Sequence, residues 1–185
     1  MRINLIRHGK TSGNLEKRYI GRTDEPLCAD GMEEIKNNRY PLCDAVIASP
    51  MKRCIQTADI IYPDKEIIIC DDLRECDFGA FEGKNYTELS GNPDYQKWID
   101  SNATMPFPDG EDPQNFRKRC VDAFRKTAGM FSGKILTFVV HGGTIMAVME
   151  KLAVPSRSYY SWQVKNGRGF AVEYDGKKII LQEEI

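Results

Sequence analysis

Leu5-Ile6-Arg7-His8-Gly9 and, far downstream, Phe138-Val139-Val140-His141-Gly142-Gly143 share one pattern: an apolar run, a histidine, then glycine. A short apolar run bounded by glycine is the pattern of a strand buried on both faces, as in a parallel sheet. Parallel strands deliver their C-terminal ends to one rim, where open α/β sheets bind ligands. His8 and His141 are the chain's only histidines, and both are expected on that rim although 141 − 8 = 133 positions separate them. The glycines let the backbone approach a ligand and offer N–H groups to an anion.

The rest of the chain supplies the layers around those strands. Residues 3–6 read as the first strand and 9–13 as a turn. Residues 44–49 form a second strand stopped by Pro50, and 51–61 a helix with Ile55, Ala58 and Ile61 on one side. A third apolar run covers 66–70. Asp112-Pro113 starts a long helix whose Phe116, Cys120, Phe124 and Phe131 share a face, with Gly133 ending it. Residues 135–140 are a strand and 144–152 a helix closed by Pro155. Residues 170–174 and 178–182 read as a hairpin with a type I′ turn at Asp175-Gly176. Strands alternating with helices predict an α/β fold with a mainly parallel central sheet. A single domain over 1–185 is expected, with 84–109 as a small cap.

Composition narrows the partners. The 185 residues carry 26 Lys+Arg against 27 Asp+Glu, a net charge of −1 that gives no push toward nucleic acid or anionic membrane. No run approaches the roughly 20 apolar residues of a membrane helix. Arg7 interrupts the N-terminal apolar stretch before it reaches signal-peptide length, so a cytoplasmic protein is expected. The six cysteines show neither C-x-x-C nor zinc spacing and read as reduced structural thiols. Residues 79–85 approximate a phosphate loop but are one residue short, with Asn85 where a metal-binding hydroxyl belongs.

Charge near the rim is informative. Arg7 ends the first strand, and Arg53 follows the Ser49-Pro50 turn that ends the second. An arginine fork matches phosphate oxygens in bidentate fashion. Two arginines and two histidines around one spot suit a dianionic phosphate and would repel a metal. Glu75, just past the third apolar run, adds a carboxylate whose pKa a nearby phosphate would raise, fitting a general acid.

These residues sit in a longer ordered set. It comprises Arg7-His8-Gly9-Lys10-Thr11 with Asn14, then Gly21, Asp24, Pro26-Leu27 and Gly31, then Ala48-Ser49-Pro50 with Arg53 and Gln56-Thr57-Ala58. Leu73, Glu75, Phe78-Gly79, Phe81-Glu82-Gly83, Pro108, Gly110-Glu111 and His141-Gly142-Gly143 complete it. The set resembles the histidine phosphatase superfamily, also called phosphoglycerate mutase-like. The resemblance implies a three-layer sandwich and a metal- and cofactor-free phosphomonoesterase acting on a small phosphate ester. In it His8 is the nucleophile, Arg7, Arg53 and His141 hold phosphoryl oxygens, and Glu75 is the proton donor. Asn14 and the Gly142 N–H add neutral donors, while Thr11, Gly21 and Lys10 are further substrate-binding candidates. The chain's length is similar to that of compact α-ribazole phosphatases, which makes α-ribazole 5′-phosphate a candidate ester. Mutase-type phosphoryl transfer and non-catalytic phosphate binding are the competing readings.

Four positions depart from the family pattern: Lys10 for Glu or Gln, Cys28 for Thr, Asp112 for Ser, and Met146 for a frequent Arg. Lys10 is expected to make the pocket mouth more basic. The aromatics Tyr86, Tyr95, Trp98 and Phe107 of the cap either pack it onto the domain or contact a ring-bearing substrate.

Overall fold

Four parallel strands and a two-stranded antiparallel extension make one sheet in the computed structural model, which describes residues 1–185. The parallel strands are β1 (Arg2–Arg7), β2 (Ala45–Ala48), β3 (Ile67–Ile69) and β4 (Leu136–Val140). β5 (Gly169–Tyr174) runs antiparallel to β1, and β6 (Ile179–Glu184) antiparallel to β5. The order is β3-β2-β4-β1-β5-β6, so β4 is inserted between β1 and β2. Arg7 lies opposite Val140 in the β1–β4 register, and the next residue on each strand is a histidine.

Strand alternation sends side chains to both faces. Ile3, Leu5, Ile47, Phe138 and Val140 join a core with α5 (Pro113–Gly129) and α6 (Gly142–Leu152). On the opposite face Val46, Ala48 and Val139 meet Cys54 and Ala58 of α3 (Lys52–Ile61). α2 (Ala29–Asn37) packs against α3. These are the three layers of the expected sandwich. No helix is long and apolar enough to cross a membrane.

Four local expectations are corrected. α5 ends at Gly129 with Met130 as its C-cap, so Phe131 lies beyond the helix and Gly133 does not end it. The 9–13 turn contains the start of a short helix, α1 (Ser12–Leu15), capped reciprocally by Thr11 and Asn14. α6 begins at Gly142 rather than at residue 144, with His141 as its N-cap, so the glycine N–H groups belong to the first turn and have no partner within the helix. In the hairpin the central residues are Gly176 and Lys177, and only Gly176 has positive φ (+99°). Type I′ needs positive φ at both, so the turn resembles type II′, with Asp175 Oδ1 accepting the Lys177 and Lys178 N–H groups.

α2 and α4 (Pro93–Asp100) carry weak signals. α2 buries only Gly31 and Ile35, and its cap is the Cys28 thiol accepting from Gly31 N at 3.4 Å. α4 is capped by Asn92 and contributes Trp98 to an aromatic cluster with Phe81, Phe107 and Phe116.

Candidate active site

His8 is the centre of the rim. Its Nδ1 lies 2.7 Å from Gly9 O, and because a carbonyl only accepts, Nδ1 carries the hydrogen and Nε2 keeps its lone pair. Burial, followed by the Arg53 and Arg7 charges, holds the imidazole pKa well below its ordinary value. The site thus favours a neutral histidine with a free Nε2.

Arg7 points one Nη at Val164 O (2.8 Å), while its buried Nε has no partner within the protein. Buried donors are normally paired, so Nε is a donor left for an acceptor from outside the chain. Gly142 lies over this guanidinium, and a Cβ there would sit 3.4 Å from Nε. Asn14 accepts at Oδ1 from Thr11 N (3.2 Å) and Asn166 Nδ2 (2.9 Å), which leaves its NH2 as a donor on the cavity wall.

Glu75 comes from the segment after β3. Its Oε1 accepts from Cys76 N (3.0 Å) and its Oε2 from Gly143 N (3.3 Å). Burial nevertheless outweighs those bonds and the arginine charges and raises its pKa, favouring the protonated carboxyl a proton donor requires. Arg119 braces this segment, bonding Asp72 O and Arg74 O and forming a two-point pair with Glu111 (2.8 and 3.0 Å).

Arg7, His8, Asn14, Glu75, Gly142 and Gly143 line one end of a cavity of about 640 Å³. The other candidates stand off its wall. His141 is fully buried beside His8, with ring centroids 5.2 Å apart and Nε2 bonded to Ser49 Oγ at 2.8 Å. Burial and the Arg53 charge also hold its pKa well below normal. Arg53 is buried and makes three bonds to the carbonyls of Thr23, Gly21 and Ile20. What it offers at His8 is chiefly charge.

Lys10, Thr11 and Gly21 are not brought to the cavity. Lys10 pairs with Glu34 of α2 at 2.8 Å, so the expected basic contribution to the mouth is lost to that partner. Thr11 is fully buried as the α1 cap. Gly21 holds Arg53 through its carbonyl and donates its N–H to the Glu82 carboxylate, and a Cβ there would collide with Cys76 O. Two residues escaped the sequence reading. Asn166 also donates to His8 O (3.1 Å) and Gly9 O (3.3 Å), clamping the histidine loop from the opposite end of the chain. Ser49, the partner of His141, was legible only as part of a turn and of the ordered set, with no role attached. No spacing links either residue to its contacts.

A sequence model of the histidine phosphatase superfamily (branch 1) matches residues 3–184. The chain belongs to this superfamily. Among histidine phosphatase relatives, the uncharacterized phosphatase PhoE of Bacillus subtilis is 27% identical over 95% of this chain and 90% of its own. The adenosylcobalamin/alpha-ribazole phosphatase of Escherichia coli is 26% identical over 98% of this chain and 94% of its own. The crystal structure of the alpha-ribazole phosphatase from Shigella flexneri superposes with a TM-score of 0.83 at 26% identity, covering 98% of this chain and 95% of that one.

Proposed function

We propose that this histidine phosphatase is a cytoplasmic, metal-independent phosphomonoesterase acting on a small-molecule phosphate ester, with residues 84–109 as its cap. One observation carries the reading: the Gly9 carbonyl fixes the His8 hydrogen on Nδ1, leaving Nε2 unprotonated beside Arg7. Nε2 attacks phosphorus, the phosphorus–oxygen bond of the ester breaks, and Glu75 protonates the departing oxygen. Water then attacks the phosphohistidine, Glu75 takes its proton, and the phosphorus–nitrogen bond breaks to return the lone pair to Nε2. Arg7, the Asn14 NH2 and the Gly142 N–H hold the phosphoryl oxygens, with Arg53 and His141 adding charge and a hydrogen-bonding ring from behind His8. The names of the relatives support phosphatase chemistry and make α-ribazole 5′-phosphate the first natural ester to assay.

The test is hydrolysis of an aryl phosphate in EDTA, with trapping of the phosphoenzyme. Vanadate inhibition and an acid-labile phosphoenzyme absent from His8→Ala are expected. Wild-type turnover by His8→Ala would overturn the mechanism. Binding of phosphate esters without phosphate release would favour a binding protein, and isomerisation dependent on a bisphosphorylated primer would favour a mutase.

A further inference from the structure

We propose that the cavity beyond the phosphate corner is a subsite for an elongated, ring-bearing, uncharged leaving group, an inference that rests on the phosphomonoesterase reading. Its wall is built from Tyr19, Phe78, Phe107, Phe116, Met146 and Tyr159. Two polar handles on that wall are already committed, and the others, Gln163 and the Tyr160 hydroxyl, are exposed and uncharged. Tyr19 OH pairs with Tyr95 OH at 3.1 Å, and Tyr159 OH donates to Gly143 O at 3.3 Å. Both hydroxyls therefore already have a partner within the protein.

The cations are committed as well. Arg18 pairs with Glu16 and Glu88, each at 2.6 Å. Arg117 pairs with Glu150 at 3.1 Å and stacks over the Tyr159 ring at 3.9 Å. Met146 offers no charge, and Lys17 is exposed at the mouth, where water and salt screen it. A second anion brought against this wall would lose water without gaining an unpaired, shielded cation, and a polyol would meet mostly rings. A ring gains apolar contact and edge-to-face geometry.

Trp98, Ala103, Arg117, Tyr159 and Tyr160 line both this cavity and an adjoining recess of about 400 Å³. A leaving group longer than one ring would extend along these shared residues, beside the cap, toward Asn102 and Ser158, which line that recess.

The experiment compares kcat/KM for 2-naphthylmethyl phosphate, glycerol 3-phosphate and 3-phosphoglycerate. All three leave as alkoxides, so leaving-group acidity does not dominate the comparison. The naphthyl ester is expected to be preferred by about 100-fold over each of the others. Phe78→Ala should narrow that ratio, chiefly through KM. Met146→Arg, on a body helix outside the cap, gives a second handle and should shift preference toward 3-phosphoglycerate. A wild-type ratio near or below one, with phosphate released from glycerol 3-phosphate, overturns the ring subsite and leaves the phosphatase reading standing. Release from none of the three overturns the phosphatase reading itself, and with it this inference.

Discussion

At Gly143 the absence of a side chain has a chemical consequence. A Cβ would lie 2.5 Å from Glu75 Oε1 and 2.9 Å from the Phe116 ring. The carboxyl group is the flexible end of its side chain and gives way, which misplaces the proposed proton donor, while the buried Phe116 ring has to shift as well. Gly143→Ala is expected to lower kcat by about 100-fold with a smaller loss of thermal midpoint, read by steady-state kinetics and calorimetry. Asn166 acts by orientation: its NH2 fixes Asn14 Oδ1, which leaves the Asn14 NH2 for the cavity, where the proposed reaction needs a donor. Asn166→Asp places a carboxylate against three acceptors and should raise the inhibition constant for inorganic phosphate by about 10-fold. Equal phosphate inhibition of variant and wild type would refute that orientation role.

Among the elements, the segment joining β3 to the rim matters most, because it carries Glu75 without regular structure of its own. A 3-10 turn at Asp71–Leu73 begins it, and the Arg119–Glu111 pair holds it to α5. Arg119 is about a quarter exposed (26%), so its bonds are only partly shielded from water. Arg119→Met should cost about 2 kcal/mol in urea unfolding, the scale of losing hydrogen bonds to a charged group. It should also lower kcat more than it raises KM, since Glu75 is loosened while the phosphate corner stays intact. A purely structural brace would leave the alkaline limb of the pH–rate profile unmoved, whereas a brace on Glu75 shifts it.

For the molecule as a whole, three buried titratable groups set the response to acid. His8 and His141 have folded pKa values below their ordinary 6.5, so the unfolded chain takes up protons first as pH falls. Their contribution to stability is complete above 6.5 and is lost below it, at up to about 1.4 kcal/mol per histidine per pH unit. Glu75 works in the opposite sense: its folded pKa is raised, so its contribution is complete below the ordinary 4.5 and is lost as pH rises through the folded value. With two histidines against one carboxyl, the urea midpoint is expected to fall between pH 7 and pH 5.5. A His8→Asn/His141→Asn double variant should flatten that fall.

The sequence by itself determined the β1 and β4 strands, the pairing of two histidines on one rim, the long capped helix α5 and the family motif. Those signals are local: apolar runs, a Pro after a capping Asp, and residue types in order. It left α2 unread because that helix buries two residues and caps with a thiol. It also misread the hairpin turn as type I′ at Asp175-Gly176, because Asp-Gly suits more than one register. Only the tertiary structure decided that Lys10 pairs away from the cavity, that Arg53 is tied to three main-chain carbonyls, and that Asn166 and Ser49 hold the site. Those outcomes depend on residues between 24 and 158 positions apart, brought together by the insertion of β4 between β1 and β2 and by the return of the chain along β5. Spacing along a chain encodes periodicity within an element, and contact between elements is set by which faces they bury.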